Sequence, residues 1–220
     1  MTDLQLRVAG VVAGVGFLAA ILLPAAGRLD LPTIWVYLGV TAALSTIGMA
    51  HMDPGLIRER FKPGPGDWDA AVVLLGPMYL AHLIVAGIDL GRFHWSDTVP
   101  LPLIVVGFFA LVAGTAVTLW GMNANPYFSP KIRLQPDRGQ HVIDVGPYAH
   151  VRHPGYAGAI VMFLGSGLAL GSWLSLIPAF GAIIGILWRT VVEDRFLRAQ
   201  LPGYADYAIH VPYRLVPGIW

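Results

Sequence analysis

Runs of about twenty apolar residues recur along this chain, and each is long enough to cross the roughly 30 Å hydrocarbon core of a bilayer as a helix. Val8 to Ala26 is the first, Ile34 to Ala50 the second, Ala70 to Leu90 the third and Leu101 to Met122 the fourth. A further apolar region runs from Ala157 to Trp188 and is broken at Gly171-Ser172. It is too long for one comfortable span and slightly short for two, so it reads as a tight helical hairpin with short or tilted arms. Open strands are excluded, because lipid cannot satisfy their unpaired backbone groups. The fold expected is all-α: a polytopic transmembrane helical bundle of about five to six spans. Residues 1–220 form a single integral membrane domain, with four N-terminal spans in 1–122 and the polar chemistry in 123–220.

Composition agrees with lipid as the solvent. The chain is 56% hydrophobic and 12% charged, where soluble domains average about 45–50% apolar and about 25% charged. A net charge of +1 and the lack of any basic motif give no case for nucleic acid. There is no cysteine, which excludes disulfides, thiolate nucleophiles and thiolate metal sites. More apolar spans follow the first one, so it is read as a retained helix and not a cleaved signal.

The basic residues give an orientation. Arg58, Arg60 and Lys62 lie between the second and third spans, Lys131, Arg133, Arg138 and Arg152 between the fourth span and the hairpin, and Arg189, Arg195, Arg198 and Arg214 after it. A hairpin puts all three segments on one side, with Arg7; only Arg28 and Arg92 fall on the other. By the positive-inside rule the basic side, carrying both termini, is cytoplasmic.

The densest polar cluster is His141 to Gly158, HVIDVGPYAHVRHPGYAG, at the mouth of the hairpin. Pro154 forbids an ordinary helix interior and biases His153 towards extended backbone. Gly155 and Gly158 let another backbone or a ligand approach closely. Arg152 and His153 are therefore expected on a shaped turn at the membrane face. The spacing of His150 and His153 invites a metal reading, but Pro154 disrupts the helix it needs, and no metal site is expected. The simplest alternative is a polar loop with interfacial tyrosines.

This run resembles the isoprenylcysteine carboxyl methyltransferase family, within the wider group that includes phospholipid methyltransferases. The resemblance rests on His141, Val142, Ile143, Gly146 and Tyr148, then Arg152, His153, Pro154, Tyr156 and Gly158. A second block follows the hairpin: Arg189, Glu193-Asp194, Tyr204, Tyr207 and Pro217. Asp144 stands where the family usually has Thr, Asp194 where it has a second Glu, and His210 where many relatives carry Arg. The likeness covers Asn125 to Trp220 well and the earlier spans only in general character. It implies an S-adenosyl-L-methionine-dependent methyltransferase acting on a lipophilic acceptor (a carboxylate, a thiol or a lipid) at the membrane surface. It also implies the bacterial inner membrane as the location, and residues 123–220 as the cofactor-binding catalytic region.

The residue chemistry fits that implication. Aromatic faces of Tyr148 and Tyr156 suit a ring or a sulfonium, and His141 and His153 offer ring hydrogen bonds near neutral pH. Glu193 suits ribose hydroxyls or an amino group; its plain alternative is a helix-end ion pair with Arg189, four residues earlier. His141, Tyr148, His153, Pro154, Tyr156, Gly158 and Glu193 are thus assigned to the cofactor. Arg152 and Arg189 are the candidates for orienting an acceptor carboxylate through a two-pronged contact. Two other readings stand beside this one. Membrane sterol reductases using NADPH share Arg-His-Pro-x-Tyr-x-Gly, although an acidic residue usually follows that Gly, where this chain has Ala159. A non-enzymatic scaffold or transporter is the third. Outside the two blocks, Asn125-Pro126-Tyr127-Phe128 reads as a span-ending turn that can brace the site, and Tyr204 onwards as a lid. His82 is an intramembrane ionisable residue of open role, and Asp89 lies close enough to a span end to reach water. Gly10, Gly14 and Gly16 read as helix-packing positions.

Overall fold

The computed structural model describes residues 2–61 and 70–220, the side chains of Arg60 and Phe61 aside. Lys62, counted above among the basic residues, lies outside the described residues, as does the Arg60 side chain. Eight α-helices follow in order: α1 (Asp3–Ala26), α2 (Pro32–His51), α3 (Pro54–Phe61), α4 (Ala70–Ile88), α5 (Leu101–Ala124), α6 (Pro154–Leu170), α7 (Leu176–Gln200) and α8 (Tyr204–His210). α4 runs on into a wide π turn over Asp89–Phe93. Among the described residues, five helical stretches are long and apolar enough to cross a membrane: α1, α2, α4 with its π turn, α5 and α7. α6, with 17 residues, is the short sixth. The chain is an integral membrane protein of the expected all-helical kind.

Local chemistry sets the helix ends. Thr2 and Gln5 cap α1 reciprocally, each side chain bonding the other's backbone N–H. Pro154 takes the first position of α6, where a missing N–H costs nothing. α6 stops at Gly171, whose φ of 81° is left-handed and whose N–H returns to the last turn. The chain then reverses through Gly171–Ser175 into α7, so the hairpin exists and breaks where the sequence indicated.

The hairpin is asymmetric, because α6 packs most closely against α5 and not against α7. Gly107, Gly114 and Gly121 recur every seven residues on α5, and Gly158 and Gly165 do the same on α6. A Cβ at Gly114 would lie 2.4 Å from the Met162 nitrogen, and one at Gly158 would lie 2.6 Å from the Gly114 carbonyl oxygen. At Gly165 the nearest atom would be the Leu111 nitrogen at 2.4 Å. Backbones this close gain dispersion contacts that lipid cannot match, the usual basis of small-residue seams in membranes. Gly158 therefore belongs to this seam, which corrects its assignment to the cofactor. Gly158→Ala should destabilise the protein by about 1–3 kcal/mol through overpacking, with unchanged ligand affinity in the fraction that folds. Thermal unfolding alongside ligand titration checks this; lost affinity at unchanged stability would return Gly158 to the site.

Two further expectations are revised. A Cβ at Gly14 or Gly16 would meet nothing within 4 Å, so neither is a packing position. Asp89 does not reach water: it is fully buried, and accepts from the Ser96 N–H, the Ser96 hydroxyl and the Ser172 hydroxyl. It ties the α4–α5 connection to the hairpin turn. Its neighbourhood, with Arg28 paired to Asp30 and Arg92 donating to the carbonyls of Pro24 and Ala25, marks one end of the bundle. At the opposite end Arg7 donates to the Met52 carbonyl, Arg58 meets Asp3, and Glu59 of α3 meets Arg133. The start of α1, α3, the connection from α5 to α6 and the end of α7 thus share one end.

Candidate active site

The connection from Ala124 to Pro154 folds over that shared end and is held from below and from both sides. Asn125 starts it with a turn of its own, its side-chain oxygen accepting the Tyr127 N–H at 2.9 Å, as Asx residues do where helices stop. Arg133 forks onto Glu59, with Nη2 3.0 and 3.1 Å from the two carboxylate oxygens, and Ser129 donates to the same group. Gln135 is buried, donates to the Tyr127 carbonyl and accepts from Arg138. A short 3-10 turn, Gly146–Ala149, then turns Tyr148 inward. Arg152 and His153 pair with the tail, their N–H groups donating to the carbonyls of Tyr213 and Arg214 at 3.0 and 2.9 Å. The tail thus folds back over the connection, as expected for a lid.

Between these layers lies a cavity of about 770 Å³, counting its open mouth. Four walls meet there: the 125–133 turn with Phe128, the 140–143 strip with His141, the start of α6 with His153 and Tyr156, and the end of α7 with Glu193 and Phe196. Tyr204 and Tyr207 of α8 close the side facing the tail. Of the residues singled out from sequence, His141, Tyr148, Arg152, His153, Tyr156 and Glu193 line this space. Pro154, Gly158 and Arg189 do not. Pro154 and Gly155 lie against α5 near Gly121, so the proline's part is to start α6 and aim His153.

Two polar clusters sit under the cavity. In the first, the Tyr156 hydroxyl donates to Glu193 Oε2 and accepts from Arg189 Nε at 2.6 Å. Arg189 also donates to the Pro130 carbonyl at 2.8 Å. Its distance to Glu193 is 3.7 Å, so the helix-end ion pair exists, but a tyrosine bridges it and Glu193 still faces the cavity. In the second cluster Asp194, fully buried, is a hub. Arg152 Nε, Arg214 Nε and Arg198 Nε reach its carboxylate at 2.7, 3.0 and 3.2 Å, and the Tyr204 hydroxyl donates to it at 3.2 Å. His153 stands 3.5 Å from the same carboxylate and stacks on Tyr156, ring centres 5.7 Å apart.

These contacts correct the roles given to the two arginines. Arg152 spends Nε and Nη2 on Asp194 and Nη1 on the Val211 carbonyl. Arg189 lies behind Tyr156. Neither offers a two-pronged fork to an incoming carboxylate; both hold the walls together. Sequence reasoning had no access to Glu59 or to the hub role of Asp194, whose partners lie far apart in the chain. Asn125 and Tyr127 carried a signal, the Asn-Pro-Tyr run, which the cavity now absorbs: the Tyr127 hydroxyl donates to the Gly139 carbonyl and lies 3.0 Å from His141 Nδ1.

Burial pushes the phenols of Tyr148, Tyr204 and Tyr207 above their ordinary range, so they remain neutral donors. The Tyr207 hydroxyl uses its proton on the Tyr148 carbonyl at 2.7 Å. The cavity therefore combines one carboxylate, two imidazoles and several aromatic faces. Among the described residues no cluster of three or more His, Asp or Glu is arranged for a metal.

Residues 101–202, which run from the start of α5 to just past α7 and include most of these walls, match the family model for phospholipid methyltransferase. Over this segment the chain is similar to phospholipid methyltransferases. Among curated proteins, the cobalt-zinc-cadmium resistance protein CzcN of Cupriavidus metallidurans is 26% identical over 132 residues, 59% of this chain and 56% of that protein. The chain thus spans little more than half the length of the curated relative it matches. Among solved structures, the eukaryotic intramembrane Ras methyltransferase ICMT (isoprenylcysteine carboxyl methyltransferase) is similar over 97% of this chain and 77% of that one, with 16% identity and a TM-score of 0.48. The matched segment contains both sequence blocks except for the tail beyond residue 202, so Tyr204 and Tyr207 of α8 complete the cavity from outside the matched region.

Proposed function

We propose that this protein transfers a methyl group from S-adenosyl-L-methionine, held in the cavity above α6 and α7, to a lipophilic acceptor that arrives from the bilayer. The observation carrying this reading is the convergence of Glu193, His141, His153, Tyr148 and Tyr204 on one cavity, most of whose walls lie in the segment similar to phospholipid methyltransferases. Glu193 takes the ribose hydroxyls or the amino group of the cofactor through charge-assisted hydrogen bonds. Aromatic faces accommodate the adenine and the sulfonium. When bound, the cofactor supplies an electrophilic methyl group for in-line displacement. An acceptor carboxylate or thiolate is already nucleophilic, so the chain's own contribution is orientation and the exclusion of water. Arg152 on the wall, with Arg189 and Asp194 one layer behind, holds the walls at fixed spacing.

Calorimetric titration of S-adenosylhomocysteine into the purified protein tests the cofactor assignment. Saturable one-to-one binding is expected; its absence, or heat protection by NADPH in its place, removes the reading. The orientation is tested separately. Single cysteines at Gln140 and Gln200, in a chain with none of its own, should both label with a membrane-impermeant reagent from the cytoplasmic face only. The positive-inside bias is the basis for that side.

A further inference from the structure

One wall of the cavity at the start of α6 contains a closed triangle of polar atoms. The Tyr127 hydroxyl oxygen lies 3.0 Å from the Gly139 carbonyl oxygen and 3.0 Å from His141 Nδ1, and Nδ1 lies 3.2 Å from that same carbonyl. Each corner is anchored. The Tyr127 N–H donates to the Asn125 side chain, and the Tyr127 carbonyl accepts from buried Gln135. The Arg138 guanidinium stands over the Tyr127 ring, 5.9 Å from its centre. Gly139 ends the 3-10 turn Pro136–Arg138 with a left-handed φ of 65°. His141 meets Tyr127 edge to face, with ring centres 5.4 Å apart and planes at 81°.

One placement of protons satisfies all three contacts. A carbonyl oxygen can only accept. The Gly139 carbonyl takes the Tyr127 hydroxyl proton, and its contact with Nδ1 requires a proton on Nδ1 too. That Nδ1–H is shared between the Gly139 carbonyl and the Tyr127 oxygen, whose lone pairs are free to accept. The other tautomer would set the Nδ1 lone pair against a carbonyl oxygen at 3.2 Å. In the neutral ring the proton therefore sits on Nδ1 and a lone pair on Nε2, since the bond made by one ring nitrogen sets the state of the other. Among the described residues His141 is hydrogen-bonded at Nδ1 alone. Its side chain is exposed and lines the cavity.

We propose that Tyr127 is a positioning residue that fixes the tautomer of His141, so that Nε2 receives an N–H or O–H of the small molecule bound in the cavity. The ligand assignment rests on the reading of this cavity as the S-adenosyl-L-methionine site. It gives His141 a neutral donor of the cofactor, the exocyclic amine of adenine or a ribose hydroxyl. The carboxylate end of the cofactor is excluded from this corner, because it would meet a lone pair with lone pairs of its own. The cationic ammonium group is better matched by the negative charge of Glu193 on the opposite wall.

The tautomer is read directly by nitrogen NMR of the full-length protein carrying isotope-labelled histidine, in nanodiscs and mildly alkaline buffer. Of the seven histidines, His141 is identified by the signals lost in His141→Gln. Before any ligand is added, its ring should show a protonated Nδ1 and an unprotonated Nε2. Tyr127→Phe should give a mixture of the two tautomers and weaken S-adenosylhomocysteine binding by about two- to tenfold, the value of one hydrogen bond. Adding S-adenosylhomocysteine to the unmodified protein should move the Nε2 signal in the direction of an accepted hydrogen bond. S-inosylhomocysteine, which lacks the exocyclic amine, then separates the two donors: the shift is lost if adenine supplies the bond and kept if the ribose does. A ligand-free ring protonated on Nε2, or an unchanged tautomer in folded Tyr127→Phe, overturns the positioning role. The unmodified protein decides the tautomer even where Tyr127→Phe fails to fold. An Nε2 signal that stays in place while calorimetry shows S-adenosylhomocysteine bound overturns the ligand assignment alone. Absence of calorimetric binding overturns the cofactor reading and leaves the ligand-free tautomer as measured.

Discussion

Replacing Glu193 with Gln should weaken S-adenosylhomocysteine binding by roughly ten- to more than a hundredfold, on the order of 1.5–3 kcal/mol. The substitution keeps shape and removes charge. The Tyr156 hydroxyl donates to Glu193 Oε2, and a Gln side-chain oxygen can still accept that bond, so the wall beneath the cavity is preserved. The ion pair lost is the 3.7 Å contact with Arg189, whose guanidinium keeps its bonds to Tyr156 and to the Pro130 carbonyl. Folding should therefore change by under about 1 kcal/mol, as for a partly exposed pair, while the cofactor loses a charge-assisted partner. Arg58→Ala, at the same end of the bundle but paired with exposed Asp3, should leave binding unchanged. The measurement is calorimetric titration of each variant with thermal unfolding as the folding control. Wild-type affinity in a well-folded Glu193→Gln would sink the assignment of this carboxylate.

The largest effect on stability is expected one residue later. Asp194→Asn should cost about 3–5 kcal/mol, because it leaves Arg152, Arg198 and Arg214 around a neutral amide in a buried position. Arg152 is almost wholly buried and keeps its bond to the Val211 carbonyl with at most one neutral amide acceptor in place of the carboxylate. At about 2–4 °C per kcal/mol for a chain of this size, the unfolding midpoint should fall by roughly 6–20 °C. Arg214 belongs to the tail, so the tail should also loosen, and trypsin should cleave there before the bundle unfolds. Arg198→Ala, which removes the most exposed of the three arginines, should cost under about 1 kcal/mol. An Asp194→Asn protein that melts like the wild type with a protected tail would show that the three arginines are not balanced by this one carboxylate.

These two neighbours illustrate how far a linear reading reaches. Glu193 and Asp194 look alike in sequence, a pair of acids at the end of an apolar hairpin. Helical geometry turns adjacent residues about 100° apart, so one faces the cavity and the other faces the Arg152–Arg214 side. Arg152 and Arg189 fail as acceptor-binding candidates for a related reason. Their partners, Asp194 and Val211 for one and Tyr156 and Pro130 for the other, come from segments whose juxtaposition has no local signature. The same holds for Glu59 and Arg133, which meet across seventy-four positions.

What the sequence determined by itself is the solvent of each segment. Runs of twenty apolar residues read as helices in lipid, because only a helix satisfies the backbone within a single segment, and barrel strands are about half that length. Positive charge then sorts the connections to one side, and Gly171 marks the turn of the hairpin with its left-handed φ. These are local or compositional constraints, and they are legible without any neighbour. The tertiary structure alone decided which glycines are packing seams, since a missing Cβ looks identical at Gly158, pressed against α5, and at Gly14, open to a cavity. It alone decided which charges face the cavity and which neutralise one another. Both are questions of distance between residues remote in sequence, and only the packing of α5, α6 and α7 sets those distances.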